Sequence, residues 1–315
     1  MNITVVLPTY NRAPSLALTL TTFSRLECPA DLDWELLVVD NNSSDHTADT
    51  VQQFSGTAAF PVRCIFESTQ GRSAAVNAGI VHARGEIIVF TDDDVLLDPR
   101  WLVNLKKTFD EHDCAAVAGR VIPQWNHAKP DWLEMDGHFA VTNFDLGDQM
   151  HEIRIPPLGA NSAFRKEVFR KYGLFRLDLG VRGTTHTITC DDTEFGERLI
   201  RAGEKIVYCP TAVVYHPVDR HRTTKKYFLS WYYYNGVSLT RTFGVPQEGV
   251  FWFGVPRWLC RESLTYLARW LLTTPGKRRF HRKLRAYRSV GAIVECYRLS
   301  HQTPPSRILA KPQQL

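Results

Sequence analysis

The stretch Glu86-Ile87-Ile88-Val89-Phe90-Thr91-Asp92-Asp93-Asp94-Val95 decides how the chain is read. Its first half is short, apolar and β-branched, the signature of a buried strand. Its second half sets three carboxylates at the strand's carboxyl end, where open α/β sheets bind their ligands. Three adjacent like charges repel, and a hard divalent cation relieves the repulsion because it prefers oxygen ligands. An Asp-rich turn in solvent is the plainer alternative, since Asp is a common turn residue. Asp98-Pro99, just beyond, reads as a helix start with Pro at the first helical position.

Upstream, residues 3–7 form a first strand closed by Pro8, 34–39 a second ending at Asp40, and 62–66 a third. Between them, residues 14–26 have helical spacing, with Leu16, Leu20 and Phe23 on one side. Asp45 stands where it can cap the next helix, and Ser73 where it can cap the one after. Strands alternating with helices, without hairpin signals, predict right-handed βαβ units and a mostly parallel, Rossmann-like sheet flanked by helices. Downstream, 117–121 reads as a further strand. Residues 122–158 hold Trp125, Pro130, Trp132, Pro156 and Pro157 among polar residues, a long excursion of the kind that shapes a substrate site. Order returns at 159–164, followed by a helical stretch over 166–172. A strong helix runs from Asp191 to about Ala202 with Gly203 as its stop. Short strands are expected at 205–207 and 212–215, the last ended by His216-Pro217.

Composition is ordinary for a globular protein, with 44% hydrophobic and 23% charged residues in 315. Seven scattered cysteines without metal spacing point to a reducing compartment. The chain enters a strand at once, leaving no room for a signal peptide, and no run of 18 apolar residues suggests a membrane span. Charge is uneven. Residues 1–219 carry 20 Lys/Arg against 30 Asp/Glu, a net of −10, and residues 220–315 carry 18 against 3, a net of +15. Beyond 220 the chain is aromatic and basic. A helix holds Phe228 and Trp231-Tyr232-Tyr233-Tyr234, helical residues 261–272 follow, and then the cluster Lys277-Arg278-Arg279-Phe280-His281-Arg282-Lys283. The tail after about 300 is Pro- and Gln-rich and expected to be disordered.

Several polar residues fall at the same predicted sheet edge: Thr9, Tyr10, Asn11 and Arg12; Asp40 and Asn41; Gly71 and Arg72; and the Asp triplet. Together they can serve a nucleotide, with a carboxylate for base or ribose and an Arg and a metal for phosphates. Singly, each is a common turn residue. GxGxxG is absent after the first strand, as is GxxxxGK[ST], which weakens dinucleotide-binding and P-loop readings.

The runs Val6-Leu7-Pro8-Thr9-Tyr10-Asn11-Arg12, Val38-Val39-Asp40-Asn41-Asn42-Ser43-Ser44-Asp45, Gly71-Arg72-Ser73-Ala74-Ala75-Val76-Asn77-Ala78-Gly79 and Phe90-Thr91-Asp92-Asp93-Asp94 resemble, in order and spacing, the successive motifs of family 2 glycosyltransferases. The resemblance covers residues 1 to about 240. It implies the GT-A fold, a nucleotide-diphosphate sugar donor and an inverting transfer. Carried over, Pro8, Tyr10 and Arg12 border the base, Asp40 contacts it, and Arg72 meets the ribose or diphosphate. Asp93 counts among the donor contacts. Asp92 faces ribose and metal, and Asp94 holds Mg2+ or Mn2+, with His216 as a further ligand. Asp191-Asp192 matches the family's Glu-Asp pair, with Asp in place of Glu at 191, and Asp192 matches the residue that deprotonates the acceptor hydroxyl. Such a displacement needs a general base opposite the leaving group. The same residues also suit a capping box, Asp191 with Glu194. The Gln-x-x-Arg-Trp of processive synthases is broken: Arg257-Trp258 is present, but Gly254 replaces Gln. That favours addition of a single sugar.

The expected organisation is a GT-A catalytic domain over 1–220, with its nucleotide-sugar half at 1–120 and its acceptor half at 121–220. A basic helical extension over 221–300 and a tail over 301–315 follow. The extension either packs its aromatics on the catalytic domain or meets an anionic membrane surface, and interleaved Trp and Arg favour the membrane. No nucleic-acid motif accompanies the charge. The expected protein is a metal-dependent inverting glycosyltransferase, cytoplasmic and peripheral at the inner face of the plasma membrane. It acts on a glycan or lipid-linked acceptor in cell-surface polysaccharide or glycoconjugate assembly. A sugar nucleotidylyltransferase would open with a Gly-rich Arg loop that is missing here. A catalytically silent nucleotide-sugar-binding protein would not need Asp92, Asp94 and Asp192.

Overall fold

Nine strands build one sheet in a computed structural model that describes residues 2–133, 139–183, 188–245 and 248–302. In chain order the elements are β1 (Ile3–Thr9), α1 (Ala13–Phe23), β2 (Trp34–Asp40), α2 (Thr47–Ser55), β3 (Val62–Phe66), α3 (Arg72–His82), β4 (Ile87–Thr91), β5 (Leu96–Leu97), α4 (Trp101–Glu111) and β6 (Ala116–Trp125). They continue with β7 (His151–Ile153), β8 (Asn161–Arg165), α5 (Glu167–Tyr172), α6 (Asp191–Arg201) and β9 (Ile206–Val218). The sheet order is β3-β2-β1-β4-β8-β6-β9-β5, with β7 on β9. Residues 1–126, 137–183 and 191–218 make one compact unit, and residues 127–136, 184–190 and 219–315 make a second.

The first unit is layered because its central strands are apolar on both faces. Val5 and Leu7 pack with Leu16, Leu20 and Trp101 in one core cluster. The intervening Val6 packs with Val76, Ile80 and Phe90 in the other. Each fully buried side chain of this size contributes about 1.5–3 kcal/mol. Helix α3 lies tight on the sheet: a Cβ at Gly79 would fall 2.3 Å from Val6 Cγ1. This fixes why Gly ends the Gly71-to-Gly79 motif.

The sheet is mostly parallel, as expected, with β8 antiparallel to both β4 and β6. Several local expectations are corrected by long-range pairing. Helix α4 begins at Trp101 instead of at Asp98-Pro99, because Leu96 and Leu97 are drawn into pairing with Tyr215 and Val214. Asp98 instead makes a turn, accepting the Arg100 amide at 3.0 Å. Pro8 lies inside β1, opposite Val39, instead of closing it. Pairing of β1 with β4 ends at Val6 and Phe90, so the missing proline N–H interrupts no ladder bond to β4. Ser73 sits within α3 and donates to the Leu179 carbonyl at 2.8 Å, and Gly71 holds the cap position. Asp45 accepts the Thr47 amide at 3.1 Å and also the Ala13 amide at 3.0 Å, so it serves the starts of two helices.

The two short strands expected at 205–215 are one strand, β9, which continues past His216-Pro217 to Val218. Its register against β6 jumps from Gly119–Cys209 to Arg120–Val213. Asn161 fills the bulge, donating to the carbonyls of Arg120 (2.9 Å) and Ala212 (2.8 Å) and accepting from Trp101 Nε1 (2.8 Å). Gly119 leaves the room, since a Cβ there would lie 2.2 Å from Asn161 Nδ2. The start of the predicted excursion over 122–158 belongs to the sheet as the end of β6, and residues 151–153 within it form β7.

The second unit contains α7 (Lys225–Phe243), a hairpin of β10 (Phe251–Trp252) and β11 (Val255–Pro256), α8 (Arg257–Leu271) and α9 (Lys277–His301). Thr224 caps α7 by accepting the Tyr227 amide at 3.2 Å, which starts the aromatic helix earlier than its rings suggested. Helices α7 and α9 cross where both are glycine. A Cβ at Gly236 would lie 1.9 Å from the Arg288 carbonyl oxygen, and one at Gly291 would lie 2.0 Å from that of Tyr233. The basic cluster forms the first turns of α9. Among the described residues, no helix is long and apolar enough to cross a membrane. Most of the tail expected to be disordered lies outside the described residues.

Candidate active site

Strands β1, β2, β3 and β4 are parallel, and β6 and β9 share their direction across the antiparallel β8. Their carboxyl ends and the start of β8 therefore share one edge. Beyond Val6 and Phe90, β1 and β4 part, at the point where the strand order turns from β3-β2-β1 to β4. Ligands of α/β sheets bind at such switch points.

The loops at this edge are laced together by their asparagines. Asn11, in left-handed conformation (φ 50°), accepts the Ser44 amide at 2.7 Å, and its own amide donates to Ser43 Oγ at 3.0 Å. Asn41 accepts the Gly71 amide at 2.7 Å and donates to the carbonyls of Glu67 (3.1 Å) and Thr69 (2.7 Å). Asp40 is buried and accepts the Ser43 amide at 2.9 Å. Tyr10, the first residue after β1, is half-buried. A ligand entering here meets loops already ordered, which lowers the entropy cost of binding.

Asp92, Asp94 and His216 each present one ligand atom, all within 4.8 Å of one another. His216 Nδ1 lies 3.2 Å from the Pro217 carbonyl, which only accepts, a geometry that suits a proton on this nitrogen. In the neutral ring Nε2 then turns a lone pair toward Asp94 Oδ1, 3.4 Å away. Two acceptors facing each other suit a cation between them, and a carboxylate–imidazole set fits Mg2+ or Mn2+. Arg12 Nη1 holds the other Asp94 oxygen at 2.7 Å and Asp93 Oδ1 at 3.2 Å. Burial opposes the Arg12 charge, but Asp94 and Asp93 outweigh it and raise its pKa.

Asp93 differs from its neighbours. It is buried and accepts Thr9 Oγ1 at 2.7 Å as well as Arg12. Burial, reinforced by the Asp94 charge, pushes its carboxyl up to about 6 against the pull of Arg12. Its oxygens tie β1 to β4 across the switch point. The sequence carries no sign of this tie beyond Thr9 in the first motif.

Arg72 connects the two acidic motifs. Its Nη2 bonds Asp92 Oδ1 at 3.0 Å and its Nη1 bonds Asp191 Oδ2 at 2.8 Å, across 119 residues of chain. Burial works against its charge, yet Asp191 and Asp92 raise its pKa. Gly159 makes the space, since a Cβ there would fall 2.5 Å from Arg72 Nη2. Its amide donates to Asp192 Oδ2 at 2.9 Å, and Asp192 Oδ1 accepts the Thr193 amide at 2.6 Å. Burial and the neighbouring Asp191 charge raise the Asp192 carboxyl above the ordinary carboxylate range. The expected capping box is replaced: Asp191 is the first helical residue and pairs with Arg72, and Glu194 pairs with Arg198 at 2.8 Å.

Residues 4–173, more than half the chain, match Glycosyl transferase family 2, and the chain belongs to that family. It is 26% identical over 244 residues to the glucosyl-dolichyl phosphate glucuronosyltransferase of Haloferax volcanii, covering 76% of each chain. It is 26% identical over 297 residues to the O-antigen chain rhamnosyltransferase RfbN of Salmonella typhimurium, covering 88% of this chain and 90% of that protein. In fold it is similar to the mannosyltransferase PcManGT from Pyrobaculum calidifontis in complex with GDP-Man and Mn2+, with a TM-score of 0.57 at 20% identity over 94% of this chain and 72% of that one. S. aureus TarS 1-349 in complex with UDP-GlcNAc gives 0.51 at 16% identity over 95% of this chain and 90% of that one. These neighbours establish the GT-A fold.

Proposed function

We propose that the protein moves a single sugar from a nucleotide-diphosphate sugar to a hydroxyl of a glycan or lipid-linked acceptor, with inversion at the anomeric carbon. The observation that carries this reading is Arg72, which joins Asp92 of the strand-end carboxylates to Asp191 of the acidic helix start. It brings a donor-side and an acceptor-side motif into one site.

On this reading Asp92, Asp94 and His216 hold Mg2+ or Mn2+. The ion, when bound, supplies Lewis-acid screening of the charge on a departing nucleoside diphosphate. Arg12 and the loops bearing Pro8, Tyr10 and Asp40 seat the nucleotide. Arg72 keeps Asp191 and Asp192 in register with the donor. The Asp192 carboxylate takes the proton of the acceptor hydroxyl as its oxygen bonds the anomeric carbon and the bond from that carbon to the diphosphate oxygen breaks. A raised pKa makes Asp192 a stronger base than an ordinary carboxylate.

The acceptor class is supported by the relatives, whose names include a dolichyl phosphate sugar and an O-antigen chain. The +15 charge beyond residue 219 supports peripheral contact with an anionic membrane, at the inner face of the plasma membrane. Nucleotide release from a panel of donors, with and without Mn2+, tests the reading. Metal-stimulated release from one donor is expected, and release from none would favour a silent nucleotide-sugar-binding protein.

A further inference from the structure

Helix α8 carries Cys260, Leu264, Leu267 and Leu271 at i, i+4, i+7 and i+11, which puts them on one side. Helix α9 carries Val290, Val294 and Tyr297 at i, i+4 and i+7. Cys260, Val294 and Tyr297 line one apolar groove of about 470 Å³, together with Trp252 and Phe253 of the β10–β11 hairpin. The α8 row therefore starts at this groove and the α9 row ends there, and both carry solvent-exposed side chains. Leu264 is 62% exposed, Leu271 56% and Val294 44%. Phe253 is 86% exposed at the hairpin tip, held there by left-handed backbone at itself and at Gly254. Soluble surfaces rarely carry contiguous apolar rows of this kind without a partner.

The surroundings specify the partner's chemistry. Residues 251–302 hold 11 Lys/Arg against 2 Asp/Glu. Both carboxylates are engaged within the unit: Glu262 accepts the Tyr266 hydroxyl at 2.7 Å, and Glu295 is buried and bonded by Arg241 and Arg298. The cations thus outnumber any acid that could balance them. Arg257 lies over the Trp252 ring at 5.3 Å, and Lys283 over Trp270 at 5.2 Å. A second copy of the chain would bring this cationic face against itself. A nucleic acid would meet the charge and leave the leucines in water. An anionic bilayer satisfies both features, with phosphates for the cations and acyl chains for the apolar rows.

We propose that this face inserts into the headgroup–acyl boundary of an anionic leaflet, with Phe253 and the Leu264-Leu267-Leu271 row below the phosphates. The proposal rests on the membrane reading above and adds that binding is by insertion as well as by charge. Sedimentation of the full chain with phosphatidylcholine vesicles containing phosphatidylglycerol tests it, at about 0.1 M and about 0.5 M salt, where screening separates the two contributions. Wild type is expected to keep a salt-resistant bound fraction. The triple variant Leu264→Gln, Leu267→Gln and Leu271→Gln is expected to lose at least about tenfold in partitioning at high salt while still binding at low salt. Phe253→Ser should show a smaller loss in the same direction. All four side chains are exposed, and an unchanged melting temperature confirms that the variants fold. Wild-type binding at high salt by the triple variant would overturn insertion and leave charge-driven contact standing. A lipid-free dimer that the triple variant abolishes would assign the rows to self-association and overturn the proposal. Failure of wild type to bind at low salt would overturn both insertion and the membrane reading.

Discussion

The two units handle charge in opposite ways. In the first, charges are paired around buried carboxylates: exposed Arg12 bridges buried Asp93 and half-buried Asp94, and half-buried Arg72 bridges Asp92 and buried Asp191. In the second, cations dominate residues 251–302 beside solvent-facing leucines, and Glu262 and Glu295 are engaged within the unit. Buried paired charges are costly to assemble and strongly destabilising when one partner is removed. They persist where geometry matters, as in a reaction site. Exposed charges contribute little to stability and remain available to an outside partner. The contrast therefore separates a chemical surface from a docking surface. Variants of one should leave the readout of the other unchanged.

The largest effect is expected at Asp192. Asp192→Asn removes the proton acceptor while keeping size, and base catalysis contributes about 10²–10⁴-fold, so turnover should fall at least about a hundredfold. Donor affinity by calorimetry and vesicle sedimentation should not move. Asp191→Asn should cost far less, because Asn still accepts from Arg72. Near-normal turnover in Asp192→Asn beside a dead Asp191→Asn would reverse the assignment.

Next comes Asp94→Ala. Donor affinity in Mn2+ should weaken by about tenfold or more, about 1.4 kcal/mol, and added metal should no longer help. Equal donor affinity of the wild type in chelator and in metal would break the link between these carboxylates and a cation. Arg72→Lys is smaller still. Lys keeps the charge but loses the fork that reaches two carboxylates at once, so turnover should drop by roughly tenfold with little change in donor affinity. A loss confined to donor affinity would make Arg72 a donor contact only.

The fold was legible because β-branched runs, helical spacing and strand-end carboxylates are local signals. What escaped was set by distant partners. Leu96 and Leu97 look like a helix approach until β9 pairs with them. Ser73 and Asp191 look like helix caps, but their hydroxyl and carboxylate meet Leu179 and Arg72, more than 100 residues away along the chain. Gly159 opens the segment where order returns, and only the packed site shows that Arg72 fills the place of its Cβ. At the candidate site the sequence indicated which side chains gather, and the structure supplied who holds whom.

The smallest effect is on stability and runs opposite to activity. Burial and Asp191 raise the Asp192 pKa in the folded state, so folded protein holds this proton more readily than unfolded chain. At neutral pH the ionised carboxylate therefore lowers stability, and the penalty disappears as pH falls below the folded pKa. Asp192→Asn should melt at a higher temperature than wild type at neutral pH, with the difference closing toward acid. A lower melting temperature at neutral pH would show that Asp192 is held for structure.

The central claim is a single displacement at the anomeric carbon, with Asp192 as the base. Once a donor is found, proton NMR of the first product reads its anomeric configuration directly. The account predicts the configuration opposite to that of the donor. A product that retains the donor's configuration would contradict it.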